Sequence, residues 1–217
     1  MPSPAYLEPY LTASRRFGGG FGSLLWASPK SQAARFRALV RCCRFNERVI
    51  LDAGCGRADF LDFLLLRNIR PARYVGIEAV EPMAAAAELK RHPMATILRG
   101  DFIEDPKLLE QGADTIIFCG SLNTLPKPDF YAALRAAWDL AREGVAFNFL
   151  SSDALAKGHH LTWHSTEDVA RFARSLTDHV TVDDRYMNGD CTISLRKNGG
   201  TFQSVLSHLM AIGSKRL

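Results

Sequence analysis

Residues 49–65 constrain the fold more than any other stretch of this 217-residue chain. Three apolar residues, Val49, Ile50 and Leu51, run into an acid, Asp52, and then into Gly54-Cys55-Gly56. A helical period follows at once in Phe60, Leu61, Phe63, Leu64 and Leu65. A buried strand, a tight turn and a helix N-terminus are thus joined with no room for another element. Glycine has no Cβ, so the turn can bend sharply and bring its backbone N–H groups against a bound molecule. Such a junction is the unit from which doubly wound α/β sheets are built.

A second apolar run, Tyr74-Val75-Gly76-Ile77, ends in Glu78. In doubly wound sheets an acid at the end of the second strand accepts hydrogen bonds from ribose hydroxyls. The turn itself continues through Arg57 and Ala58 to a further acid, Asp59. Asp52, Asp59 and Glu78 around one turn favour a ligand with positive charge over a pyrophosphate, on Coulombic grounds.

Leu51–Gly56 resembles the first motif of the class I S-adenosylmethionine-dependent methyltransferases, and Gly76–Met83, containing Glu78 and Ala79, resembles the second. Arg99-Gly100-Asp101-Phe102 resembles the third, in which an acid and the residue after it contact adenine. Asp114–Ser121 resembles the fourth strand and its functional end, with Leu122 and Asn123 beyond. The resemblance covers roughly residues 30–197 and implies a Rossmann-like fold. That fold is a doubly wound, seven-stranded, mostly parallel sheet ending in an antiparallel hairpin. The implied cofactor is S-adenosylmethionine, a sulfonium with an ammonium group. Its implied binding residues are Asp52, Gly54, Cys55, Gly56, Glu78, Ala79, Asp101, Phe102, Gly120, Ser121 and Asn123. Trp26–Phe36 resembles the segment before strand one in small bacterial methyltransferases, which implies Gln32 and Arg35 at the methionine end, Arg35 pairing its carboxylate, and Trp26 among the cofactor-binding residues. Read on their own residue types, Asp52 is also a helix cap, Asp101 a turn residue, and Ser121 and Asn123 turn formers.

The rest of the chain alternates strands and helices. Helices are expected at about 31–43, 59–68, 82–91, 128–142 and from Ser165 to Leu176, with a helical turn near 105–111. Strands are expected at 49–52, 74–78, 95–98, 114–119 and 145–150. Two more, 179–186 and 191–197, are joined by Met187-Asn188-Gly189-Asp190, a hairpin signal with Asn-Gly. Three segments result: residues 1–29 as an irregular lid segment, 30–197 as the cofactor-binding domain, and 198–217 as a helical tail. Tyr6, Tyr10, Phe17, Phe21 and Trp26 surround Gly18-Gly19-Gly20 in the first of these. Glycine-flanked aromatics suit a lid over a ligand, or packing of the first helix on the sheet.

Methyl transfer from a sulfonium is an in-line displacement, so the protein must mainly align the acceptor and exclude water. A base is needed only where the acceptor must lose a proton. His160 and His164, beyond the fifth strand, are the candidates; His159-His160-x-x-x-His164 lacks an acid or cysteine to complete a metal site.

The expected acceptor is a small molecule. The net charge of +4 raises nucleic acid as a rival partner. Arg37, Arg41, Arg44 and Arg48, however, fall on one helical face and read as a solvated stripe. The chain also lacks the Asn/Asp-Pro-Pro-Tyr/Phe run of amino-directed nucleic-acid enzymes. A non-catalytic binding module is the second rival. No apolar run approaches the ~20 residues of a membrane span, the N-terminus does not resemble a signal peptide, and five cysteines read as reduced thiols. A cytoplasmic protein is the expectation, and no oligomeric state is implied.

Overall fold

The computed structural model describes residues 3–156 and 160–197. His159 and the tail expected over 198–217 lie outside the described residues. Seven strands form one sheet: β1 (Val49–Ala53), β2 (Arg73–Glu78), β3 (Ala95–Arg99), β4 (Thr115–Cys119), β5 (Gly144–Leu150), β6 (Val180–Asp183) and β7 (Asp190–Arg196). Their order is β3-β2-β1-β4-β5-β7-β6. The first five pair in parallel, and β7 runs antiparallel to both β5 and β6. This is the doubly wound arrangement with an antiparallel end that the sequence implies. Strand order reverses between β1 and β4, and ligands of such sheets bind beyond the strand ends at that point.

Six α-helices are described: α1 (Glu8–Phe17), α2 (Pro29–Cys42), α3 (Asp59–Leu65), α4 (Glu81–Glu88), α5 (Lys127–Leu140) and α6 (Thr166–Arg174). Alternation of side chains along the central strands divides the core in two. Leu51, Ile116, Phe118, Val145, Phe147 and Phe149 pack with Phe130 and Val169 on one face. Ile50, Ile117 and Ala146 pack with Phe36, Leu39, Phe60 and Leu64 on the other. Burial of each such side chain contributes about 1.5–3 kcal/mol. Both faces are covered, as a parallel sheet requires.

The structure corrects three expectations. Within the expected irregular segment 1–29, the described residues hold α1 and a 3₁₀ turn at Phe21–Leu24. Pro9 and Glu8 in the first turn, Arg15 and Arg16 in the last, and Gly18 at φ +56° are ordinary start and stop signals. The aromatic and glycine run drew attention away from them. The antiparallel hairpin stands, but its connection is residues 184–189 rather than Met187–Asp190, because β6 ends at Asp183 and β7 starts at Asp190. Gly189 docks on the loop after β5, its carbonyl accepting from Ser151 N at 2.9 Å. Finally, α2 ends at Cys42, so Arg44 and Arg48 leave its face. Arg41 pairs with Asp183 at 2.6 Å and Arg48 with Glu143 at 3.0 Å, which breaks up the basic stripe.

Candidate cofactor and active site

The turn after β1 does not present free donors. Gly54 N and Cys55 N both donate to the Ile77 carbonyl at 2.9 Å. Gly56 N donates to Glu78 Oε2 at 2.7 Å. All three N–H groups of the Gly-x-Gly turn are therefore held by β2. The glycines serve close approach instead. At Gly54 (φ +79°) a Cβ would sit 2.3 Å from Ser121 Cβ, and at Gly56 (φ +56°) one would sit 2.6 Å from Leu24 Cδ2.

Glu78 is the centre of this wall. Its other oxygen, Oε1, accepts from Val80 N at 2.8 Å. Burial pushes its carboxyl up to about 7, against the lowering pull of the Val80, Gly56 and Ala79 N–H groups. Asp52 lies behind the turn, where Tyr74 Oη donates to its Oδ2 at 2.6 Å. Burial likewise raises Asp52 to about 7, with that hydrogen bond opposing the shift. Its Oδ1 is buried without a hydrogen-bond partner. Asp52 thus caps no helix. Asp59 leaves the expected ring of acids, because Lys90 takes its Oδ1 at 2.7 Å and Gln32 donates to its Oδ2 at 3.3 Å.

A cavity of about 860 Å³, measured to its open mouth, lies beyond β1, β2 and β4. Ala79, Val80, Met83, Phe102 and Ile103 line an apolar end beside Asp101. Asp101 Oδ1 accepts from Ile103 N at 2.9 Å, a turn bond, while Oδ2 accepts from Tyr6 Oη at 2.7 Å. The N-terminal segment supplies Tyr6, Leu7, Tyr10, Leu24, Leu25 and Trp26 to the same lining.

Arg35 reaches the cavity from α2. A capping box starts that helix: Ser28 Oγ accepts from Ser31 N, and Ser31 Oγ from Ser28 N, both at 3.1 Å. The Arg35 guanidinium lies 4.7 Å over the Trp26 ring and is paired with Asp190. Trp26 in turn packs on Gly120, where a Cβ would be 3.0 Å from its ring.

Of the residues the sequence singled out, Trp26, Arg35, Gly54, Gly56, Glu78, Ala79, Asp101, Phe102, Gly120, Ser121 and Asn123 all line this cavity. Ser121 Oγ donates to the Ala53 carbonyl at 2.5 Å, and Asn123 Oδ1 accepts from Leu150 N at 3.3 Å. Asp52 and Cys55 are not among the lining residues. The Cys55 thiol turns back onto the sheet, filling the space a side chain at Gly76 would need. His160 is exposed and His164 is buried against Phe130, with ring centroids 3.9 Å apart; neither lines the cavity. Burial lowers His164 to about 4. Sequence reasoning missed Thr124, Leu125 and Leu161 in the lining, and Asp190 behind Arg35. Thr124 is adjacent to the expected Asn123, but nothing local marks Leu161 or Asp190. Among the described residues, no group of His, Cys, Asp and Glu side chains is placed to hold a metal ion.

Residues 50–144 match the model of a family described as a methyltransferase domain. A search of curated proteins gives no match. Solved structures agree in fold. A structure described as a DhpI–SAM–HEP complex superposes with a TM-score of 0.68 at 13% identity, covering 89% of this chain and 99% of that one. A SAM-dependent methyltransferase from Archaeoglobus fulgidus gives 0.61 at 17% identity, covering 87% and 99%. Magnesium protoporphyrin IX methyltransferase from Synechocystis PCC 6803, with bound SAH, gives 0.58 at 17% identity, covering 78% and 83%. At these identities the likeness is one of fold.

Proposed function

We propose that this S-adenosylmethionine-dependent methyltransferase transfers a methyl group to a small-molecule acceptor, in a cavity roofed by its own N-terminal segment. The observation that carries the reading is that roof. Tyr6, Tyr10 and Trp26 line the same cavity as Glu78 and Asp101, so the N-terminal segment forms part of the wall around those acids. S-adenosylmethionine fits the wall chemically. Glu78 has lone pairs for two ribose hydroxyls, the apolar end beside Asp101 suits adenine, and Arg35 suits the methionine carboxylate. Asp52 adds negative charge behind the turn, which favours a ligand with a sulfonium and an ammonium group. The absence of free turn donors agrees with a ligand that has no phosphate.

Catalysis in this reading is alignment and exclusion of water. The N-terminal segment acts as a lid, and neither His160 nor His164 acts as base, since neither faces the cavity. Ion pairing of Arg41 and Arg48 supports a small acceptor over nucleic acid. No described helix is long and apolar enough to cross a membrane. All five cysteines are free and buried, which supports a reducing, cytoplasmic setting. Incubation with methyl-labelled S-adenosylmethionine and either a small-molecule extract or total RNA tests the acceptor class. Label in the small-molecule fraction supports the reading; label confined to RNA overturns it.

A further inference from the structure

The Arg35 guanidinium is fixed by partners far away in the chain. Its Nε donates to Asp190 Oδ2 at 2.6 Å, and its Nη2 donates to the same oxygen. The Trp26 ring covers one face. The remaining nitrogen, Nη1, lies beside Gly120 in the cavity wall, 3.5 Å from where a Cβ there would be. Asp190 is itself braced, because its Oδ1 accepts from the Tyr186 hydroxyl. Thr192 Oγ1 donates to Tyr186 Oη at 2.9 Å and accepts from Asn148 Nδ2 at 2.5 Å. A buried polar chain thus runs from β5 through β7 to the wall of the cavity.

Such a chain needs a reason. The Asp190 side chain is fully buried and that of Arg35 is 8% exposed. Taking both charges out of water offsets most of their attraction, so a buried pair is weak evidence for stability. What the pair does secure is orientation. A guanidinium carries its five N–H groups in a rigid fork, and it binds a carboxylate best through two parallel bonds. With the Nε/Nη2 edge held by Asp190 and one face held by Trp26, only the edge that includes Nη1 is left to a ligand.

We infer that Asp190, braced by Tyr186, is a positioning residue that aims the free edge of Arg35 at a carboxylate in the cavity. This rests on the reading of Arg35 as partner to the methionine carboxylate of the cofactor. Asp190 has two opposed effects on that partner: its charge repels a second carboxylate, and its bonds hold the fork. Orientation outweighs repulsion, because Asp190 lies behind the guanidinium while a two-bond contact needs both N–H vectors correct at once.

Two ligands separate this role from a merely structural one. S-adenosylhomocysteine carries the carboxylate; 5′-methylthioadenosine keeps the adenosine and the thioether but lacks the amino acid. The readout is the ratio of their dissociation constants, measured by calorimetry on the full chain. In Asp190→Ala the preference for S-adenosylhomocysteine should fall at least about tenfold, with methylthioadenosine binding within about twofold of wild type. Tyr186→Phe keeps the ion pair and removes only the brace, so the preference should fall about two- to fourfold. Arg35→Lys keeps the charge and loses the fork, and should match Asp190→Ala. If Asp190→Ala weakens both ligands equally, or sharpens the preference, the positioning role is overturned. If Asp190→Ala does not fold, an unchanged ratio in Tyr186→Phe overturns it. A ratio lowered by Arg35→Lys alone leaves the Arg35 reading standing and removes only Asp190. A ratio unmoved by Arg35→Lys removes both.

Discussion

The two ends of the cavity are held in different ways. At the β2 and β3 end, each acid has a backbone partner close in sequence, Glu78 in Val80 N and Asp101 in Ile103 N, and Tyr6 adds one distant bond to Asp101. Even the longer link, Glu78 to Gly56 N, joins neighbouring parallel strands. At the α2 and β4 end, Arg35 depends on Asp190 from the far side of the sheet, and the wall is closed by α1 and Trp26. The first end is set mainly by turn chemistry, whereas the second is assembled by tertiary contacts. Binding of the adenosine part should therefore survive changes that abolish alignment of the reacting groups.

The largest test removes the N-terminal segment. Deletion of residues 1–22 takes away Tyr6, Leu7 and Tyr10, and with Tyr6 its bond to Asp101, but leaves every described strand in place. Turnover should drop at least about 100-fold, because misplacement of about 1 Å in a reacting pair already has that effect. Affinity for S-adenosylhomocysteine should fall less, since Glu78 keeps its backbone bonds. Circular dichroism checks that the core is folded. Full-speed methylation by the truncated protein would break the comparison and return the aromatics to a packing role.

The converse change strikes the local end. Glu78→Ala removes both oxygens proposed to take ribose hydroxyls and also releases Gly56 N and Val80 N. Charge-assisted bonds are worth roughly 1.5–3 kcal/mol each, so S-adenosylhomocysteine binding should weaken more than about tenfold. Unchanged affinity in calorimetry would mean that the end of β2 does not hold the cofactor.

A smaller effect should appear with pH. Asp52 and Glu78 both have their folded values raised to about 7 by burial, from 3.8 and 4.5. Raised acids favour the native state when protonated, so their contribution is fully present below about 4. It is lost as pH rises through 7. A cationic ligand prefers the ionised pair, so its affinity should rise over the same window. The melting-temperature increase given by S-adenosylmethionine should be greater at pH 8 than at pH 6. An increase that is flat with pH, or larger at pH 6, would contradict the assignment of these acids to the ligand's charge.

The same division explains what was legible in the sequence. The strand, turn and acid of residues 49–56, 74–78 and 99–102 are local patterns, and the cavity wall built from them stands where the motifs put it. Lys90 capturing Asp59 is a contact between side chains 31 residues apart, with no local mark on the acid. Arg35 pairing with Asp190, at a separation of 155 residues, is further still from anything periodicity can reveal. Helix α1 was legible, through Pro9, Glu8 and Gly18, but the glycine run beside it suggested an irregular segment. The hairpin was legible too, but its connection is longer than Asn-Gly suggests, with Gly189 docked on the loop after β5.

The smallest expected effect concerns His164, the histidine that the loop after the fifth strand offered as a base. It stacks on Phe130 with both ring nitrogens buried and without a hydrogen-bond partner. Burial lowers it to about 4, so at neutral pH it is an uncharged aromatic with little basicity. A buried polar group without a partner is unfavourable, and an apolar group of similar shape in its place is neutral or stabilising. His164→Phe should accordingly keep turnover within about twofold and leave the melting temperature equal or higher. His160→Ala, at an exposed position off the cavity, should be equally silent. The pH profile of kcat should then carry no limb belonging to either histidine. A folded His164→Phe protein without turnover would give this histidine a chemical role. It would also show that the tertiary end of the cavity extends to the α5–α6 side of the sheet, beyond Leu161.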